Sequence, residues 1–356
     1  MKRTPLTFGV AVGVTVLGLT GCVSADRSAS SAGQAEASSA GCPWDVDDSV
    51  TGPVRVGYQI LPSGDLVVKD QSILESCMPG ADITWTQYAS GGDVVQAFGS
   101  NSVDIGVVGS SPTVKALSAP LDLDVQVVWI QDVIGDAEAL VAKGADISDV
   151  AGLEGARIGV PFSSTAHFSL LAALRNAGLD PNSDVEVINL APDAILGAWK
   201  GDQIDAAYIW DPTLSEILAD GEQLVSGKDV SEAGAPTFDF SVATTSFIEA
   251  NPAFMEQWTR AQDWAVQLIE DDPAGAAESI AVQMGSDTDT VEGQLAGTTY
   301  LAAADQESEY FGGPLGPVLE ETARFLSEEG EIAGVRSVDE YAGALYVDAI
   351  SAVAGS

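Results

Sequence analysis

Two segments of this chain place hydroxyl side chains where a helix is about to begin: Gly109-Ser110-Ser111-Pro112, and Ser163-Ser164-Thr165 after Val160-Pro161-Phe162. Each follows an apolar strand-like run, so the hydroxyls and the free N–H groups of the first helical turn point beyond the strand end, where they favour an anion. Taken singly, either segment is an ordinary N-cap; facing one another across a cleft, the two make an anion clamp with no lysine or arginine in it. Two acids stand in apolar or neutral strand contexts, Glu138 ahead of Ala139-Leu140-Val141 and Asp239 between Phe238 and Phe240. A carboxylate among strand aromatics is costly unless paired, which invites a cationic group from a ligand. The alternative is that strand alternation turns each acid to solvent. Gln59 follows the first strand and either enters the cleft or forms a turn. Trp210 ends a later strand, where its indole would cover an apolar part of a ligand. His167, the single histidine, either contacts the ligand or packs on its helix.

Positioning these residues takes alternating strands and helices, and from Val54 onward the chain reads that way, implying α/β architecture with mainly parallel sheets. One unit of alternating strands and helices runs through strands at 54–58, 83–87, 103–108 and 125–130, with helices at 66–75, 93–98 and 112–117 between them. A second unit has strands at 156–160, 185–188 and 204–210 and helices at 166–177, 192–200 and 212–219. After a strand at 238–243 the remainder is helical, at 254–270, 273–284 and 314–329. Two similar units joined by two crossings, near Glu138 and near Asp239, describe a hinged two-lobe protein: lobe 1 is 46–137 with 240–350, and lobe 2 is 138–239. Ligands of such molecules lie between the lobes at the carboxyl ends of the strands.

The local wording of the chain resembles the taurine-binding proteins of sulfonate ABC importers. The residues that carry the resemblance are Gly109-Ser110-Ser111-Pro112, Glu138-Ala139-Leu140-Val141, the run from Val160 to Leu174, Ala207-Tyr208-Ile209-Trp210-Asp211-Pro212, Gly234 to Asp239, and Gly297-Thr298-Thr299-Tyr300-Leu301. They occur in order from about Val54 to Leu326, and the block from Pro161 to Leu174 is the most specific. The resemblance implies a two-lobe type II periplasmic-binding-protein fold with a hinge and an interlobe cleft. It implies a ligand with a sulfonate, held by the two hydroxyl-rich helix starts, and an ammonium, held by Asp239 and Glu138. Binding would close the lobes, and the closed form would be recognised by an ABC permease driven by an ATPase. Asp211 departs from the neutral residue of the family, so its role stays open. Other alkanesulfonates and sulfate esters are the competing ligands, ahead of thiamine precursors and other small anions. An amino acid would call for an arginine on its carboxylate, and the motif segments hold none.

The first 22 residues fit an export signal: basic Lys2-Arg3, a short apolar run, then Leu19-Thr20-Gly21-Cys22, which resembles a bacterial lipobox. The expectation is a signal peptide at 1–21, a lipidated Cys22 holding the protein to the membrane from outside the cytoplasm, and a Ser/Ala/Gly-rich tether over 22–45. With Cys22 given to lipid, Cys42 and Cys77 are left in an oxidising compartment, where a disulfide is favoured over two free thiols. The full chain has 356 residues, 14 basic against 53 acidic, and a net charge of −39. That balance argues against nucleic acid and against an anionic lipid surface. Neither a metal nor a cofactor is expected, since CxxC and HExxH are absent. A serine nucleophile at Ser163 or Ser164 with His167 as base lacks the GxSxG elbow, so the chain reads as a monomeric binding protein with no catalytic residues.

Overall fold

The computed structural model describes residues 41–144 and 147–355; the signal sequence, Cys22 and the tether up to residue 40 lie outside the described residues. Eleven strands form two sheets. They are β1 (Gly52–Tyr58), β2 (Ala81–Gln87), β3 (Ile105–Gly109), β4 (Val125–Ile134), β5 (Glu138–Lys143), β6 (Arg157–Val160), β7 (Glu186–Asn189), β8 (Ala206–Trp210), β9 (Gly221–Ser226), β10 (Phe238–Thr244) and β11 (Thr298–Thr299). The first sheet has the order β11-β4-β10-β3-β1-β2 and the second β7-β6-β8-β5-β9. The chain therefore passes from one sheet to the other between β4 and β5 and returns between β9 and β10.

The two sheets are built on one plan. β1 contains Arg55-Val56-Gly57, and β6 begins with Arg157-Ile158-Gly159. Each arginine donates from its backbone N and from Nε to one aspartate oxygen, 2.9 and 3.0 Å to Asp104 and 2.9 and 3.0 Å to Asp205. Those aspartates immediately precede the neighbouring parallel strands β3 and β8, so each ion pair fixes the register of a parallel pair at its amino end. β3 is buried along its whole length, as expected of a strand covered by helices on both faces.

Both sheets are mixed rather than mainly parallel. β10 runs antiparallel to β3 and β4, and β5 antiparallel to β8 and β9. The crossing strands enter their sheets from the cleft side and can only run back against the parallel strands. β9 was not foreseen; its Glu222-Gln223 pair dilutes the apolar pattern of an edge strand. The helix expected over 66–75 is split into Gly64–Asp70 and Ile73–Cys77, because Ser72 takes a left-handed φ of 53°. Gly135, in the first link between the sheets, faces Gly297: a Cβ there would stand 2.7 Å from the Gly297 carbonyl oxygen. The main core lies around the first sheet, with Trp129, Phe240, Phe254 and Trp258 fully buried, and smaller clusters around Tyr208 and Trp199 serve the second. No described helix is long and apolar enough to cross a membrane.

A disulfide joins Cys42 to Cys77, 35 residues apart, and ties the start of the described chain to the helix Ile73–Cys77. Trp44 reinforces the attachment by donating to Gln257 Oε1 at 2.7 Å. Closing a loop of that length constrains the unfolded chain. Replacing both cysteines with serine is expected to lower the unfolding free energy by about 2–4 kcal/mol, read from urea denaturation followed by tryptophan fluorescence; an unchanged midpoint would argue against a stabilising bridge.

Candidate functional site

The carboxyl ends of β1, β3, β6 and β8 converge on one small cavity. About 40 Å³ of it can be reached by the centre of a water-sized molecule. One water needs roughly 10–15 Å³ on that measure, so the space suits a ligand of a few heavy atoms.

One side of the cavity is formed by two helix starts. Gly109 is the N-cap of the helix Ser110–Leu117, and Ser164 is the N-cap of the helix Thr165–Asn176; both line the cavity, with Pro112 and Thr165 beside them. Ser164 Oγ accepts from the backbone N of His167 at 3.1 Å and donates to the Pro161 carbonyl at 2.6 Å. Its hydroxyl is thus spent on the cap, and what the helix offers the cavity is its first N–H groups. The helix starts come very close: a Cβ on Gly109 would stand 2.6 Å from Thr165 Cγ2. Only glycine allows β3 to end so near a helix that packs on the other sheet.

The other side is acidic. Glu138 opens β5, is 4% exposed, and accepts from Thr165 Oγ1 at 2.5 Å, while its Oε2 has no partner. Burial, followed by the charge of Asp239, pushes its carboxyl up to about 8. Asp239 opens partly to the cavity, yet lies deep enough that desolvation pushes it up to about 7. β-sheet register sets Asp239 opposite Gly109 on one side and opposite Asp132 on the other. Trp210, paired with Glu138 across the second sheet, and Asp211 complete the wall with Gln59, Leu61 and Pro62. Gln59 Nε2 donates to the Val107 carbonyl at 3.0 Å, which fixes its amide. Asp211 accepts from the backbone N and hydroxyl of Ser215, and burial raises its carboxyl despite those bonds. Among the described residues no lysine, arginine or histidine lines the cavity.

Six of the residues expected from the sequence meet here: Gln59, Glu138, Ser164, Thr165, Trp210 and Asp239. Four do not have side chains on the cavity. Ser110 accepts from the backbone N of Phe238 at 3.2 Å, and Ser111 is buried. Ser163, at a left-handed φ of 58°, faces a separate groove, where its hydroxyl accepts from Lys115 Nζ at 3.0 Å. That lysine is also paired with Glu331. His167 stacks on Phe162 with ring centroids 4.5 Å apart, and burial lowers it to about 4, so the ring is neutral. Asp132 was missed because the expected strand stopped at Ile130, whereas β4 continues to Ile134. The signal was present: an acid within an apolar strand, as at Asp239. Thr298, the first residue of β11, was missed as well. Among the described residues no group of acids, histidine and cysteines is arranged to hold a metal ion.

Known proteins agree with this architecture. The chain is 36% identical over 262 residues to the taurine-binding periplasmic protein of Escherichia coli K12, covering 72% of this chain and 80% of that one. Among solved structures, the alkanesulfonate-binding protein of Xanthomonas axonopodis pv. citri, bound to MOPS, superposes with a TM-score of 0.69 at 25% identity, over 83% of this chain and 99% of that one. The periplasmic aliphatic sulphonate-binding protein of E. coli gives 0.67 at 25% identity, over 82% and 97%. The model of the NMT1/THI5-like family matches residues 79–276, and with the shared two-sheet architecture and cleft, the chain belongs to that family.

Proposed function

We propose that this protein is the extracytoplasmic solute-binding component of an ABC importer and that its ligand is taurine. The observation that carries the reading is the polarity of one small cavity: two helix N-termini on one side, buried carboxyls on the other, and no cation in its lining. A zwitterion with a sulfonate and an ammonium matches both sides, and a taurine-binding relative of 36% identity supports that choice. In this reading the first N–H groups of the two helices hold the sulfonate. Asp239, with Glu138 second, holds the ammonium, and the Trp210 indole covers the short hydrocarbon between them while Gln59 borders it.

Lobe 1 is taken as 46–137 with 240–350 and lobe 2 as 138–239, hinged at the two links between the sheets. Because each lobe supplies one helix N-terminus, the sulfonate site is complete only when the lobes close, and the closed form is what a permease recognises. An ATPase then drives import, and a lipid on Cys22 keeps the binding protein at the membrane. The task is capture rather than catalysis.

Calorimetric titration with taurine, ethanesulfonate, sulfate and glycine in parallel tests the ligand. Taurine is expected to bind far more tightly than the others; equal binding of ethanesulfonate would move the protein to the general alkanesulfonates. Asp239→Asn is expected to weaken taurine binding by roughly 30-fold or more with an unchanged circular dichroism spectrum. Gly109→Ala probes closure through the 2.6 Å approach to Thr165 Cγ2. Taurine affinity is expected to fall at least tenfold, with small-angle scattering reporting no compaction on adding ligand; compaction at normal affinity would show that the halves close without this contact.

A further inference from the structure

Asp132 is 1% exposed, lines the cavity, and has an Oδ1 without a hydrogen-bond partner. Directly across the sheet from it stands Asp239. Cross-strand partners hold their Cβ atoms about 4.5–5.5 Å apart, a separation at which two carboxylates out of water repel and one proton between them is favoured. The titratable groups facing Asp132 from neighbouring elements are Asp239 on β10, Glu138 on β5, Asp211 after β8 and Tyr300 after β11. All are acids, and the Tyr300 hydroxyl is committed to the Pro62 carbonyl at 2.8 Å.

We propose that Asp132 is a third ligand carboxylate, and that the ligand's ammonium displaces a proton which Asp132 and Asp239 share in the ligand-free protein. The exchange balances: one proton leaves the pair for solvent, the pair gains one negative charge, and the ammonium that enters offsets it, so the net charge of the site is unchanged. A primary ammonium carries three N–H donors; Asp132 and Asp239 supply ionised acceptors once their proton has left, and Glu138, pushed up to about 8, keeps its own proton at pH 6 and adds its carbonyl oxygen. Desolvation supports the shared proton, raising Asp132 well above the usual carboxylate range, with the charges of Asp239 and Glu138 adding to it. The inference rests on the aminosulfonate reading of this cavity and adds to it the means by which the amine is recognised.

The ligand-free protein provides the first arm. Carboxyl carbon NMR at pH 6 is expected to show a protonated aspartate that Asp132→Asn removes or shifts downward; ionised carboxylates throughout would overturn the shared proton without any ligand present. The second arm is calorimetry of taurine binding at pH 6 in two buffers of different ionisation heat. Close to one proton should be released per taurine, and the Kd should rise about tenfold between pH 6 and pH 5. Ethanesulfonate should release none. Asp132→Asn, its fold checked by circular dichroism, should release less than half a proton and bind taurine at least tenfold more weakly at pH 8. Taurine binding without proton release, or wild-type affinity in Asp132→Asn, overturns the exchange and leaves taurine capture standing. No binding of taurine by the wild type would sink the taurine reading and the exchange together.

Discussion

Three carboxyl groups, those of Asp132, Glu138 and Asp239, are held out of water around one cavity with no basic side chain in its lining. Two unit negative charges about 5 Å apart repel by roughly 3 kcal/mol at the effective dielectric of a protein site, and desolvation of each carboxylate costs several kcal/mol more. Elsewhere in this protein the same problem is solved internally. Asp104 and Asp205 are each gripped by an arginine, and Asp65, buried and pushed up to about 7 by desolvation, is held by the amides of Gln131 and Gln262. The cavity acids have Thr165 and little else. In the proposed reading the cation that offsets these charges is the ligand's own.

The topology explains how the acids come together. β10 returns from the second sheet and inserts between β3 and β4, so one residue, Asp239, is set beside Gly109 at the helix start and beside Asp132 on the far side. The short link after β4 then carries the chain straight to Glu138. Three acids separated by up to 107 positions in sequence thus become neighbours through two strand pairings and one three-residue connection.

Much of this was legible in the residues. The strand–helix alternation marked the two units, and the acids at 138 and 239 stood out because each interrupts an apolar strand. The hydroxyl-rich helix starts were also visible, but not which of their hydroxyls face the cavity. Side-chain hydroxyls in such a segment are consumed by local caps and by neighbouring strands, as at Ser164 and Ser110, so the backbone is what remains for a ligand. Nothing in the local sequence distinguishes Ser163, turned into the outer groove by a left-handed φ, from Ser164. Asp132 was hidden by a strand end placed four residues early, and Gly109 by the fact that its neighbour, Thr165, lies 56 positions away and belongs to the other sheet.

The anionic end needs no lysine for a reason that magnitudes make plain. Each helix N-terminus is equivalent to roughly half a positive charge, so two close together offset about one negative charge, which in the proposed reading is that of a single sulfonate. A lysine or arginine at the same place would instead be drawn to the carboxylates a few ångströms away, and the cavity would fill itself with an internal ion pair. Lys115, on the helix Ser110–Leu117, lies outside the cavity lining, its ammonium bonded to Ser163 and Glu331. Fixed dipoles cannot migrate across the cavity as a flexible cation can. Fixed helix dipoles and buried carboxyls therefore stand side by side in one lining without neutralising each other, and in the proposed reading a ligand is selected for carrying both charges.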